Sequence, residues 1–345
     1  MKQTNLYSLL LMGVITLVSC MVSGCTEQVE NETTKNRIML TVEDDDFGEK
    51  KAATRGTKVT SISSFGVSSS VYSAASTYTS AGCGSYFFNE SVANGSPTDF
   101  FWPTSAYKLS FFAYYPYGDA NFTIQGNGSS LGAPTYAYTV PTAIANQVDV
   151  MTGQSVNILG GGSSPVNIAM KHRCAAICFA VTNERSEAIT LTSVSIEGVK
   201  YSGTLNEESW TLSSAVNSSS SNPFVLTYGS SIAADATANI TGTTNIFLML
   251  PQSIPAGAKL KFVISGEDAK YADLSGTWEA GKQYGYSARV TATGIIVDPL
   301  TDITDWSEEE KYIGINDVNS NSTWSQPSVT DGEDMGIEDW VEEDE

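Results

Sequence analysis

Two short motifs in the sequence have the residue types of catalytic or metal-binding loops. Gly128-Ser129-Ser130-Leu131-Gly132 matches G-x-S-x-G, in which the serine is a nucleophile on a strand-to-helix turn. The glycines and asparagine around it predict an ordinary loop instead. Asp317-Val318-Asn319-Ser320-Asn321 starts like a calcium loop, but Ser328 stands at the twelfth position, where such a loop needs glutamate. Neither motif predicts a site.

His172 is the single histidine of the chain. A single histidine excludes most catalysis that depends on histidine and nearly every zinc site. His172 lies in a predicted strand, between Lys171 and Arg173, and is interpreted as a buried core or interface histidine. The sequence predicts neither an enzyme nor a bound metal or cofactor.

The net charge of the chain argues against a nucleic-acid-binding protein. The chain of 345 residues has 38 acidic and 18 basic residues and a net charge of −20. Such a surface repels the phosphates of nucleic acids. From Ser307 onward, 13 residues are acidic and only Lys311 is basic, so the last 39 residues carry −12 of this charge. We interpret residues 307–345 as an acidic C-terminal extension.

The N-terminus has the order of a bacterial secretory signal. Lys2 precedes an apolar stretch from Leu9 to Val18, which is too short to span a bilayer. Cys20 and Cys25 both follow an aliphatic residue at −3 and a small residue at −1, as a lipidated cysteine requires. We favour Cys25, which would leave a polar mature terminus, and Cys20 is the second choice. A soluble secretory signal is the alternative.

Three further cysteines follow, at positions 83, 174 and 178. Cys174 and Cys178 share parity in a predicted strand, at roughly 13 Å from each other, too far apart for a disulfide. Both are interpreted as small buried side chains. A bridge from Cys83 to either of them stays open.

The composition predicts an all-β protein. It is rich in aromatic residues and in Ser, Gly and Asn, which favour short strands separated by turns. Ile38, Leu40 and Val42 alternate with Met39 and Thr41, as in a strand with one apolar face. The glycine-rich stretch Leu159–Pro165 is the best candidate linker. Short strands on both sides of it predict two tandem β-sandwiches.

A charged stretch follows the first strand and contains Lys50, Lys51 and Arg55. It is either a solvated turn between strands or a protease-accessible site after Arg55, because loop tips are where proteolytic nicking concentrates.

Several stretches in order resemble the fimbrillin-like proteins of the Bacteroidales, the superfamily of major and minor fimbrial subunits. The resemblance covers roughly residues 37 to 306. It depends on the following stretches: Ala53-Thr54-Arg55-Gly56, Phe101-Trp102-Pro103, Leu109–Pro116, Gln147–Met151, Met170-Lys171-His172, Phe247–Gln252, Trp278–Tyr284 and Ile303–Trp306.

The resemblance implies two transthyretin-like β-sandwich domains and export as a lipoprotein. The predicted divisions are a lipoprotein signal (1–25), a propeptide with a removable first strand (26–55), two sandwich domains (56–162 and 163–306) and the acidic extension (307–345). It also implies that an arginine-specific protease cuts between Arg55 and Gly56. That cut releases the strand of Ile38, Leu40 and Val42, and a strand from another subunit takes its place.

The leading hypothesis is therefore a structural and adhesive subunit of a cell-surface fimbria (pilus). Its expected partners are other fimbrial subunits, the processing protease, the outer membrane through the lipid before cleavage, and a host or bacterial surface ligand. The candidate donor strands are Gly294–Val297 and Ile303–Trp306. Because of the acidic extension, the sequence does not decide whether this subunit lies at the tip, in the stalk or at the anchor of the fimbria. The alternative is a surface-anchored lipoprotein that binds glycans on Trp102, Trp210 and Trp278, if these are not core residues.

Overall fold

A computed structural model describes residues 36–44, 61–79, 84–125, 133–162, 165–242, 244–298 and 302–305. Within these ranges the chain forms β-strands and one short 3-10 helix, Ile144–Asn146. The predicted all-β class is therefore confirmed. No helix in the described ranges is long and apolar enough to cross a membrane. Both motifs considered above, Cys83, the signal and the extension lie outside the described residues.

The first sheet has seven strands in the order β3-β2-β5-β8-β9-β1-β4. In chain order they are β1 (Arg37–Asp44), β2 (Ser64–Ser73), β3 (Ser85–Ala93), β4 (Pro97–Phe101), β5 (Tyr107–Tyr115), β8 (Met151–Leu159) and β9 (Val166–His172). Its core contains Phe65, Phe88, Leu109, Phe111 and Ile168, all of them at most 1% exposed. Alternating residues of β9, Val166, Ile168 and Met170, are buried, as their spacing predicts.

Three further sheets of the described chain are built from residues after Cys174. A six-stranded sheet holds β10 (Ala175–Asn183), β15 (Thr237–Asn239), β16 (Phe247–Met249), β21 (Lys282–Val290), β22 (Ile295–Val297) and β23 (Asp302–Asp305). A four-stranded sheet has the order β14-β11-β18-β19, with β11 (Ile189–Glu197), β14 (Phe224–Ile232), β18 (Lys259–Ile264) and β19 (Lys270–Asp273). A two-stranded sheet pairs β17 (Gln252–Ser253) with β20 (Thr277–Trp278).

One more sheet joins residues from both halves of the chain. It has the order β13-β12-β7-β6, with β6 (Phe122–Gln125), β7 (Thr135–Thr139), β12 (Ser202–Asn206) and β13 (Ser209–Leu212). The large second core accordingly includes Phe122, Tyr136 and Tyr138 together with residues 174–290. The glycine-rich stretch after Leu159 connects β8 to β9, which pair with each other. The domain boundary at residue 162 stays a prediction.

β10 is an inner strand of the six-stranded sheet, with β21 on one side and β15 and β16 on the other. It runs parallel to β21 over eight residue pairs, and all of its apolar side chains are buried. Strands covered on both faces have continuous apolar sequences of this kind. Cys174 and Cys178 are both fully buried, as predicted. Burial raises the pKa of the Cys174 thiol well above its usual value, so this thiol stays protonated and unreactive at neutral pH.

His172 and Asp149 form a buried pair at the end of β9. The Nδ1 atom of His172 lies 2.9 Å from Oδ1 of Asp149, and neither side chain is exposed to solvent. The interpretation of His172 as a core residue is therefore confirmed. A carboxylate this deeply buried requires a polar partner, and His172 provides one.

We expect the substitution Asp149→Ala to lower the free energy of unfolding by about 2–4 kcal/mol, because it removes the polar partner of a buried imidazole. Urea denaturation at pH 7 measures the effect. Asp273→Ala, at an exposed position of β19, is the matched control and should change stability by less than about 0.5 kcal/mol. Equal effects of the two substitutions would contradict the structural role of the pair.

Candidate functional site: the groove that holds the first strand

β1 is an inner strand of the first sheet. It runs parallel to β9, where Leu40 pairs with Val166 and Val42 with Ile168. On its other side it runs antiparallel to β4. The two ladders follow one another along β1, since Arg37 and Met39 pair with β4 while Leu40–Asp44 pair with β9. β1 fills a groove with a strand on each side.

Side chains of β1 reach the centre of the first core. Ile38 and Leu40 are fully buried and Val42 is 6% exposed, and all three belong to the core cluster of this sheet. Met39 and Thr41, with the opposite parity, are only partly buried. The alternation predicted from the sequence is confirmed, and it directs three aliphatic side chains into the groove.

Asn94, at the turn between β3 and β4, binds the backbone of β1. Its Oδ1 accepts a hydrogen bond from the Val42 N–H at 3.0 Å, and its Nδ2 donates to the Val42 carbonyl at 3.1 Å. The next residue, Gly95, donates its N–H to the Leu40 carbonyl at 3.1 Å. Sequence reasoning missed these contacts, although Asn-Gly between two apolar runs is a strong signal for a hairpin turn.

The first residues of β1 contact β4 and the residue that follows it. Arg37 Nη1 lies 3.1 Å from Asp99 Oδ1, and its guanidinium carbon lies 5.5 Å from the centre of the Phe101 ring. Both side chains of the ion pair are largely exposed, so this contact adds little to stability. The Asn36 carbonyl accepts a hydrogen bond from the Trp102 N–H at 3.0 Å.

Only one covalent connection links β1 to the residues that surround it. β1 ends at Asp44, and the next described residue is Ser61. Arg55 and Gly56 belong to residues 45–60, which lie outside the described residues, as do Cys20 and Cys25. A cut at Arg55 would leave β1 held by noncovalent contacts alone. Processing at Arg55 and lipidation stay predictions.

The candidate donor segments lie at the periphery of the six-stranded sheet. β22 pairs only three residues with β21, and β23 pairs four. No other strand of the described chain pairs with either of them. Short ladders on one side only are less costly to separate than the two-sided ladder of β1.

The tryptophans considered for sugar binding are tied into the structure. Trp278 is 1% exposed, and its Nε1 donates to the Tyr286 hydroxyl at 3.0 Å. Trp210 donates its Nε1–H to the Arg173 carbonyl at 2.7 Å, and Trp102 packs edge-on against Phe111. Trp278 is a core residue, and Trp210 and Trp102 are partly buried and pack against the two cores. Among the described residues, no group of three acidic, His or Cys side chains could hold a metal ion.

A family model described as fimbrillin-like matches residues 42–306, more than half of the chain. The chain belongs to the fimbrillin-like family. The resemblance predicted from the sequence is thus confirmed. None of the curated proteins compared with the chain matches it.

Solved structures of similar fold come from Bacteroides species. A fimbrial protein from Bacteroides vulgatus ATCC 8482 is 18% identical, with a TM-score of 0.58, over 78% of this chain and 99% of that one. A candidate cell adhesion protein from Bacteroides ovatus ATCC 8483 is 16% identical, with a TM-score of 0.54, over 80% of this chain and 99% of that one. At these identities the similarity establishes the fold.

We expect Leu40→Ala to lower the free energy of unfolding of the uncleaved chain by about 2–5 kcal/mol, because it leaves a cavity in the first core. Urea denaturation measures this. Met39→Ala, on the opposite side of the same strand, is the control and should cost clearly less. If both substitutions have the same small effect, β1 does not contribute its aliphatic side chains to the core.

Proposed function

We propose that this protein is a structural and adhesive subunit of a cell-surface fimbria, exported as a lipoprotein, cleaved after Arg55 and assembled by exchange of a β-strand between subunits. The observation that carries the proposal is the position of β1. It is an inner strand of the first sheet in a fimbrillin-like chain, and its covalent link to the residues that enclose it passes through Arg55.

Loss of β1 would leave a groove with two open sides. Burial of Ile38, Leu40 and Val42 contributes roughly 1.5–3 kcal/mol for each side chain, or about 5–9 kcal/mol in all. The ladder hydrogen bonds of β9 and β4 would also lose their partners. A strand from a second subunit would restore both contributions. Such a contact is heterologous and does not close on itself, so it generates a filament.

The donor strand is supplied from the C-terminal end in this proposal. β22 and β23 pair with one neighbour each, so either can leave its sheet with the loss of few hydrogen bonds. Ile295 and Val297 of β22 have the alternating spacing that matches two adjacent pockets of the groove.

Lipidation places the uncleaved subunit at the outer membrane. Cys25 is the proposed acylated residue, with Cys20 as the second choice. An N-terminus with several acyl chains anchors stably. Cleavage at Arg55 would remove the lipid together with β1, so release from the membrane and opening of the groove would be one event.

We expect brief treatment of the chain without its signal (residues 26–345) with an arginine-specific protease to cut first after Arg55. The other four arginines, 37, 173, 185 and 289, all form ion pairs in the fold. Intact mass spectrometry locates the cut, and gel electrophoresis without heating detects ladders of detergent-resistant oligomers.

The variant Arg55→Ala is the control, and it should stay uncut at this position and monomeric. A second variant that ends at Trp306 keeps both candidate donor strands and should still form ladders. A clean cut after Arg55 with no oligomers at any protein concentration would falsify assembly by strand exchange. Resistance of Arg55 to the protease would contradict the processing step.

A further inference from the structure

A cavity of about 240 Å³ lies between the first sheet and the turn of the β12–β13 hairpin. Its floor is the face of the first sheet that points away from the Phe111 core. Phe112 pairs with Gln154, and Thr152 pairs with Lys171, so these side chains share that face. The turn supplies Glu207 and Glu208 on the opposite side.

Arg173 is the fixed cation of this cavity. Its side chain is only 8% exposed. Its Nε donates to Thr152 Oγ1 at 2.7 Å, and one Nη2 hydrogen bond reaches the Thr152 carbonyl at 3.3 Å. Among the described residues, no hydrogen-bond partner of Nη1 is found. The guanidinium is therefore held in place by Thr152 while part of its donor capacity stays available.

A carboxylate of the chain itself already occupies part of the site. Glu208 Oε1 lies 3.1 Å from Arg173 Nη2 and 4.0 Å from Lys171 Nζ. The hydrogen bond from Arg173 holds the pKa of Glu208 below its usual value. Yet the Glu208 side chain is 64% exposed. Two cations thus converge on one carboxylate that sits on a solvent-exposed turn and can be displaced.

The remaining lining suits a small polyhydroxylated ring. Phe112, Pro134 and Tyr136 provide an apolar wall, while Gln154 and Glu207 provide polar groups nearby. The volume is below the about 300–1,000 Å³ of pockets for drug-sized ligands, which matches a single sugar unit. Sugar rings present apolar faces and hydroxyl edges, which match such a wall and such polar groups.

We propose that this cavity binds one carboxylate-bearing sugar unit, with the ligand carboxylate on Arg173 and Lys171 in place of Glu208. Glu208 then acts as a competitor built into the chain. The site is separate from the β1 groove, so binding is independent of the proposed function.

The net charge of −20 opposes an acidic ligand at long range. Such repulsion is screened beyond about 8 Å at an ionic strength of 0.15 M. Measurements at this salt concentration therefore report binding in the cavity and not repulsion by the net charge of the protein. The expected affinity for one sugar unit is weak, on the order of 1 mM.

The experiment titrates the chain of residues 26–345 with methyl β-D-glucuronide and follows it by NMR. Methyl β-D-glucoside, which lacks the carboxylate, is the control ligand and should bind at least tenfold more weakly. N-acetylglutamate amide tests whether a carboxylate alone is sufficient, as it would be for an acidic peptide. Equal affinity for the glucuronide and this amide would overturn the sugar assignment.

Two exposed positions test the site without disturbing the buried Arg173. Lys171→Gln should weaken glucuronide binding up to about fivefold, the limit for an exposed ion pair. Glu208→Gln should strengthen it by a similar factor, because it removes the competing charge. A merely structural ion pair would not produce a gain of affinity.

Glu267 provides a matched control pair, since it contacts Arg185 and, at 3.7 Å, Lys270, away from the cavity. Lys270→Gln and Glu267→Gln should leave glucuronide affinity unchanged. The proposal would be overturned if neither the parent chain nor the Glu208→Gln variant bound the glucuronide. An equal effect of the substitutions at positions 208 and 267 would also overturn it.

Discussion

Ile38, Leu40 and Val42 reach the first core from a strand that has a partner on each side, β9 and β4. The sheet is continuous only while this strand is present, because β9 and β4 have no direct pairing across the space it occupies. The strand that comes first in the chain thus completes a sheet whose other members are later in sequence. Folding of this half requires contacts between residues more than 100 positions apart, such as Leu40 with Val166, and such long-range pairings are typically slow to form.

Alternation made the first strand predictable, since one face of it is apolar over three successive positions. Tyr107–Tyr115 has no such alternation: it is apolar on both faces, with Phe111 in the first core and Phe112 in a separate cluster on the other face. The partners of β1 were not predictable. Which strand lies beside another depends on the topology of the whole sheet, and neither Val166 nor Pro97 carries a local signal for it. The cluster of charges around the cavity of Arg173 could not be predicted from the sequence either, because Thr152, Arg173 and Glu208 come together only through folding.

The division into halves is less simple than the glycine-rich stretch suggests. β7 and β12 pair over five residues, and the aromatic side chains of β6 and β7 lie in the second core. The aromatic residues Phe122, Tyr136 and Tyr138 therefore contribute their burial to a core that is built mostly from residues after 170. Composition marks loops well, but it does not tell which core a strand between two loops will join.

Asn94 contacts β1 only through the backbone N–H and carbonyl of Val42, and Gly95 contacts only the Leu40 carbonyl. Every amino acid except proline offers these same groups. This end of the groove is therefore tolerant of sequence, and its one chemical exclusion is proline at the position of Val42. In the proposed strand exchange, the size and shape of the side chains at the positions of residues 38, 40 and 42 would select among incoming strands. If strands are exchanged between subunits as proposed, such a groove would favour a mixed fibre, in which subunits of different sequence follow one another as long as their strands share this spacing.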